Sequence, residues 1–398
     1  MYINYVNMTN LRNFMKKWVF LAVLQLFFIF SVFAQSTSDA ERAERAAKEA
    51  LIRLENTLSG NSSTTPGIPI PPAQVTRGGT QPAWVNDPST AYNRNHFITA
   101  VGHGTNRNEA EKHAFLELVN FFGHSIQGDS IFHNVYSEAV SRGIITVTQD
   151  TFMQDVIVTS ASLDALIGAQ IGSVWDSGLG MVFALVYMDR EKTISIYTDL
   201  IILNNLSIEQ LTTMCAAQKI TFEGYARFKL AETIAGINAK YATIVSVSGG
   251  STTSLNIKSA NSLNLEASEI LRNITIYIIV VTNNDQANRI RDAFARVVTS
   301  ENIRTRGNNP SYTLEVHLDL NEVTYPNNNN IYCSYVISAN LIDNMTGAIL
   351  LPFNIYGREG HRTFANAVTI VITKAENRII EEYPINLREY LSGILPQE

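Results

Sequence analysis

The chain reads as an α+β protein built from two modules of antiparallel sheet packed with helices, and three observations carry that reading. Tyr312 to Val323 alternates strictly, with Leu314, Val316, Leu318 and Leu320 on one side and Glu315, His317, Asp319 and Asn321 on the other, as a half-buried strand requires. Leu166–Trp175, the turn Asp176-Ser177-Gly178 and Met181–Met188 form a hairpin pattern. Between and around these lie stretches with apolar residues at three- and four-residue steps, which is the helical period. Runs of strand and helix that do not alternate one by one favour sheet-and-helix layers over a doubly wound parallel sheet.

The elements follow in order along 398 residues. Residues 1–34 have the layout of a secretory signal peptide. Lys16 and Lys17 precede an apolar run from Trp18 to Phe33, and Val32-Phe33-Ala34 places small residues where cleavage occurs before Gln35. The run is shorter than a spanning helix needs, and Met15 is an alternative start. No cysteine follows it, so the sequence offers no lipid attachment point there. Residues 35–58 form a charged amphipathic helix, with Ala43, Ala46, Ala47, Ala50, Leu51 and Leu54 on one stripe and a solvated opposite face. Residues 59–81 are rich in Pro, Ser and Gly and read as a flexible linker.

The first module is expected over 82–203. Phe97–Val101 is its first strand, running into Gly102-His103-Gly104. Asn106 or Asn108 caps a helix whose apolar face holds Ala110, Ala114, Leu118 and Phe121, with Phe115, Val119 and Phe122, and Gly123 ends it. Segments 144–147 and 152–158 are β-rich. In the hairpin, Ile167, Ala169, Ile171 and Trp175 are expected on one face. Lys192–Ile202 fits a strand or a helix equally well. A helical connector follows over 204–254, with Ser207 as a cap, a second helix from Phe222 to Ala242, and a boundary in the loop Ser246–Ser254. The second module covers 270–396: strand Ile274–Val281, a helix capped by Asn283 or Asn284, strands Tyr312–Val323, Tyr332–Asp343 and Ala348–Tyr356, and a long helix burying Ala367, Ile370, Val371, Ala375 and Ile379.

Composition narrows the function classes. A formal net charge of -6 argues against a nucleic-acid partner, which would need a basic face. Two cysteines do not make a disulfide framework; Cys215, in a helical pattern, and Cys333, in a strand pattern, are expected as buried free thiols. No second long apolar stretch exists, so the mature chain is not expected to span a bilayer through helices.

No catalytic set emerges. Gly102-His103-Gly104 lacks the third glycine of a dinucleotide fingerprint and the lysine of a phosphate loop, so glycines of a tight strand–helix turn explain it. His96, His103, His113, His124 and His133 are dense, yet no pair has the four-residue helical spacing of a zinc site. They read as scattered structural or surface histidines. Gly-x-Ser-x-Gly is absent, Cys215 lies between Met214 and Ala216, and Glu381-Glu382 point apart on a helix. The residues therefore assign no catalytic, cofactor-binding or metal-ligating position, and no cofactor.

Pro82-Ala83-Trp84-Val85, Ala100–Gly104, the Ala-rich helix from Asn108 and the Trp175–Tyr187 hairpin together resemble the LPP-twenty lipoprotein family over roughly Pro82 to Tyr197. That resemblance implies a small exported domain of the bacterial outer membrane with no known catalytic residues. Asp343–Gly347, followed by a strand, a glycine turn and a long helix, is more loosely similar to curli-assembly lipoproteins, penicillin-binding-protein activators and the periplasmic T protein of the flagellar basal body. The combination of both modules is similar to the flagellar T protein. The missing lipidated cysteine departs from the lipoproteins. The expectation is an exported non-catalytic envelope protein of the periplasm or outer membrane, a binding or assembly accessory. Its partner would be an envelope or outer-membrane assembly, docked by strand pairing near Tyr312 or Tyr332. The alternative is a metal-dependent envelope hydrolase using the His-rich first module.

Overall fold

The computed structural model describes residues 41–57, 74–122, 138, 139, 141, 142, 144, 166–305, 310–326 and 329–396. The signal segment, most of the linker, and the β-rich segments at 145–147 and 152–158 lie outside the described residues.

Two four-stranded sheets organise the chain. The first has the order β1 (Gln74–Arg77), β3 (Gln170–Asp176), β4 (Val182–Asp189), β2 (Phe97–Gly104). The second has the order β5 (Ile276–Thr282), β6 (Tyr312–Thr324), β7 (Ile331–Asp343), β8 (Ile349–His361). Each carries one parallel pair, β1 with β3 and β5 with β6, and is otherwise antiparallel. The α+β reading with two sheet modules holds, with that one qualification. β1 falls inside the stretch read as a linker: Gln74–Arg77 bonds in register with Ser173–Asp176, so sheet pairing overrides a composition that looked unable to fold.

Helix α1 covers residues 41–57 and is not a solvated rod. Ala47, Ala50 and Leu54 are buried in the first core, so the stripe seen in the sequence is a docking face. Helix α2 (Arg107–Phe122) begins with a reciprocal brace, Asn106 Oδ1 accepting from the Glu109 amide while Glu109 accepts from the Thr105 amide. Its buried face is Ala110, Ala114, Leu118 and Phe122; Phe121, expected inward, is exposed.

The hairpin β3–β4 contains a bulge. Ile171 pairs with Val186, but Ser173 pairs with Leu185, which makes Gly172 the extra residue. The parity of the strand flips there. Ile171 stays on the core side, whereas Trp175 lands on the opposite face and stacks on Phe183 at 5.5 Å. Ile167 and Ala169 lie in the turn before the strand.

Helix α3 (Arg190–Thr212) settles Lys192–Ile202 as helix, capped by Asp189 accepting from the Lys192 amide at 3.1 Å. It runs unbroken through Ser207, which is no cap: its hydroxyl returns to the Leu203 carbonyl, one turn back. Leu203, Ile208 and Leu211 carry the buried stripe past the serine, so packing outweighs the capping preference. Helix α4 (Phe222–Val247) and helix α5 (Ala260–Asn273) pack behind α3. Asn204 donates to Asn238, and Asn238 to Asn205, across the α3–α4 seam. All three helices share one apolar core with α1, α2 and the first sheet, so the segment read as a connector is part of that body.

The second core lies between its sheet and helices α6 (Ala287–Ser300) and α7 (Phe364–Gly393). Phe294, Phe353 and Tyr383 meet edge to face within about 6 Å at its centre. Gln286 rather than Asn283 or Asn284 is the N-cap of α6; Asn284 instead accepts from the Gln286 amide. Ile370 is half-buried, beside fully buried Val371. Phe222, at the start of α4, belongs to this second core and donates its amide to the Tyr312 hydroxyl at 2.7 Å. Burial pushes that hydroxyl up to about 12.

Cys333 is buried in β7 and free, as expected. Cys215 is free but exposed, because α3 ends at Thr212 and the chain turns outward before reaching it.

Candidate functional site

Gly102 and Gly104 are strand residues, not turn residues. A β-carbon on Gly102 would lie 2.1 Å from the Ala114 nitrogen and 2.4 Å from the Ala110 carbonyl oxygen. One on Gly104 would lie 2.5 Å from Glu109 Cβ. The glycines let α2 cross β2 at backbone contact, which is packing rather than anion chemistry. The expectation of a tight turn is corrected accordingly.

That close crossing has a consequence for the histidines. His103 projects from β2 and His113 from α2, and both are exposed. Their rings meet edge to face with centroids 5.2 Å apart. Ten residues apart in sequence, they escape a helix-spacing test and are joined by the strand–helix return. His96 is exposed elsewhere, at the start of β2, and His124 and His133 lie outside the described residues. Among the described residues no three His, Cys, Asp or Glu side chains are placed to hold a metal ion. Glu382 is taken up by Arg378, one turn earlier on α7, while Glu381 points to solvent. No catalytic pair forms there.

Two surfaces stand out. The first is a shallow groove of about 490 Å³ along the side of β2 that no described strand pairs with. Thr99 and Val101 form its floor, Pro88 one wall, and Glu117, Asn120 and Phe121 the other. The last three sit at i, i+3 and i+4 on α2, hence on one stripe. Phe121 is 51% exposed although its neighbour Phe122 is buried. Two consecutive phenylalanines on a helix cannot both face the core, and that pairing is the only trace of the groove in the sequence.

The second is the outer face of the second sheet. Helices α6 and α7 cover one face only, so the alternate residues look outward. Tyr277, Ile279 and Val281 of β5, Val336 of β7 and Tyr356 of β8 are all exposed, Tyr356 at 76%. They flank a polar row on β6, where His317 and Glu315 bond at 2.9 Å. At the far end Arg358 lies over the rings of Tyr325 and Tyr332, 5.2 and 5.5 Å from their centroids. Tyr332 itself covers Gly360, whose position leaves no room for a side chain.

Docking by strand pairing near Tyr312 or Tyr332 is not what the topology offers. Tyr312 is buried, on a strand flanked by β5 and β7, and Tyr332 lies on a strand flanked by β6 and β8. The open strand edges of the described sheets are β1, β2, β5 and β8. Along β8 Arg378 donates to the Tyr356 carbonyl, which blunts that edge. Among the described residues no helix is long and apolar enough to cross a membrane.

No protein-family model matches the chain, and no curated protein matches it significantly. Among solved structures, a minor lipoprotein from Acinetobacter baumannii is similar at 10% identity and a TM-score of 0.24, covering 28% of this chain and 94% of its own. A secreted protein from Helicobacter pylori is similar at 10% identity and a TM-score of 0.37, covering 71% of this chain and 96% of its own. Both scores fall below the level at which a shared fold follows.

Proposed function

We propose that this chain is an exported, non-catalytic protein of the bacterial envelope that works by contact, as a binding or assembly accessory in the periplasm or at the outer membrane. The N-terminal sequence supports export, and the likeness to LPP-twenty lipoproteins and flagellar T-type proteins fits the same address. The observation that carries the contact role is the uncovered outer face of the second sheet. Apolar side chains on an otherwise polar surface, gathered on one rigid sheet, mark interaction sites more often than chance exposure does. Five of them lie on that face.

The test is crosslinking in intact cells followed by fractionation, run on the wild type and on a Val281→Glu/Tyr356→Glu double variant. Both positions are exposed, so the fold should survive. The reading expects a discrete crosslinked species in the envelope fraction that the double variant loses. An unprocessed cytosolic protein, or a crosslinking pattern indifferent to the two charges, would overturn it.

One observation favours a second reading, metal binding by the first module. With Zn–N bonds of about 2.0–2.1 Å and a ring nitrogen about 1.1 Å from its centroid, two imidazoles on a tetrahedral ion sit with centroids about 5.2 Å apart. His103 and His113 stand at that separation, which is also that of an ordinary edge-to-face pair, and no third His, Cys, Asp or Glu joins them among the described residues. Titration of the purified chain with Zn²⁺ separates the readings. A stoichiometric site abolished in both His103→Ala and His113→Ala would favour the metal-dependent hydrolase, and binding indifferent to both changes would remove it.

A further inference from the structure

We infer that the groove along β2 receives an extended peptide segment of a partner protein, added to the first sheet as a fifth strand and selected by a basic side chain that meets Glu117. This rests on the reading above that the protein acts by contact, and it names where and what.

The backbone of β2 is set up for it. The Arg190 amide donates to the His96 carbonyl at 2.9 Å, so in the β2–β4 register the carbonyl of residue 96 faces β4. Along a strand these groups alternate sides, which turns the amides and carbonyls of Thr99 and Val101 away from β4. Thr99 and Val101 are the two β2 residues whose backbone polar groups open onto the groove floor. An antiparallel strand would gain up to four hydrogen bonds from them, the mode by which exposed sheet edges take peptides.

The walls say which side chains fit. A residue opposite Thr99 or Val101 shares their face and points toward Pro88, where small or β-branched groups suffice. The residue opposite Ala100 points the other way, because Ala100 faces the core on the α2 side. It therefore meets Glu117, Asn120 and Phe121. Among the described residues Glu117 is the single charged one lining the groove. An arginine there can lay its stem and guanidinium on the exposed Phe121 ring and pair with the carboxylate, two contacts a neutral side chain cannot combine. The chain's net charge of -6 attracts such a segment at longer range.

The probe is a blocked, fluorescein-labelled Thr-Val-Arg-Val-Thr peptide and its counterpart with glutamate at the centre, followed by anisotropy on the purified full chain. Wild type should bind the arginine peptide and discriminate against the glutamate one. Glu117→Lys, at an exposed helical position, should weaken the arginine peptide by about tenfold or more and prefer the glutamate peptide. Val101→Pro removes an amide that does not serve β4, and should weaken both peptides while urea unfolding stays cooperative. Equal binding of the two peptides, indifference to Glu117→Lys, or no wild-type binding below about 1 mM would overturn the inference. A wild-type dimer in light scattering that Val101→Pro dissociates would overturn it too, by giving the edge to a second copy. If envelope crosslinking persists unchanged in both variants, the groove falls while the contact reading stands. If the peptide binds but no envelope species is captured, the reverse holds.

Discussion

Gly102→Val is expected to be the most damaging single substitution in the first module. The β-carbon alone would sit 2.1 Å from the Ala114 nitrogen and 2.4 Å from the Ala110 carbonyl oxygen. Comfortable heavy-atom separations are about 3.5–4.0 Å, so α2 would have to retreat by more than 1 Å along its contact with β2. Nothing flexible can yield, because both opposing atoms are helix backbone. The retreat would also lift Ala110, Ala114 and Leu118, all fully buried, off the sheet. A cost of at least about 4 kcal/mol follows, in the range reserved for overpacked cores and disrupted elements. Urea unfolding monitored by circular dichroism should show a midpoint lower by roughly 1 M or more. Gly236→Ala is the internal control. That glycine lies inside α4 with open space around it, and alanine there should stabilise by about 0.5–1 kcal/mol. If valine at 102 is tolerated, the close crossing is wrong, and with it the juxtaposition of His103 and His113.

The same crossing shows how far the sequence could be read. β6 was legible because it has one buried and one wet face, so its alternation is unbroken from Leu314 to Asp319. α7 was legible for a similar reason, its buried residues stepping from Ala367 to Ile379 on one stripe. α3 was not, because apolarity and burial do not coincide along it. Thr193, Asp199 and Asn204 are buried while Ile194 and Ile202 are only half-buried, so the apolar pattern blurs the helical step that the buried residues keep. The hairpin register failed at Gly172 because a bulge is a one-residue event with no periodic signature. Gly172 does have a physical reason to be glycine: a β-carbon would meet the Tyr92 hydroxyl at 2.5 Å, and Tyr92 is distant in sequence.

The candidate surfaces were less legible than the fold. The histidines were flagged by their density, yet the spacing rule that dismissed them applies within one helix and says nothing of a strand–helix pair. Glu117 carried no signal, and Phe121 read as a core residue, because a helix face open to solvent looks the same in sequence as one lining a groove. Edge strands are a property of sheet order, and order depends on pairings between strands tens of residues apart. Tyr312 is not at an edge because β5, itself legible as a strand, pairs with it in parallel over Tyr312–Leu318, and a parallel partner about 36 residues earlier leaves no local signature.

Arg53→Ala is the second substitution expected to act strongly, by freeing α1. Arg53 donates through Nε and Nη2 to the same oxygen of Asp199, at 3.0 and 2.8 Å. Asp199 is 2% exposed, and among the described residues its other oxygen has no hydrogen-bond partner. Desolvation raises the affinity of this carboxyl for its proton; Arg53 opposes that without cancelling it. The folded protein thus holds the Asp199 proton more tightly than the unfolded chain does. Stability from this group is fully present below the unfolded carboxyl value near 3.8, and is lost as pH rises through the higher folded value. Removing Arg53 leaves a buried charge with no partner at neutral pH, which costs about 3–5 kcal/mol in a sealed site. The arginine is half exposed and α1 can lift to admit water, so about 2 kcal/mol is the better expectation. The loss should appear first as undocking of α1, because its buried face is only Ala47, Ala50 and Leu54. Trypsin should then cut at Arg42, Arg45 or Lys48 several times faster than in wild type. Asp199→Asn separates charge from packing: it keeps an acceptor for Arg53, should match or exceed wild-type stability at pH 7, and should flatten the dependence between pH 4 and 7. In the double variant Arg53→Ala/Asp199→Asn most of the lost stability should return. A chain whose α1 resists trypsin equally with and without Arg53 would show instead that the helix is held by its alanine face alone.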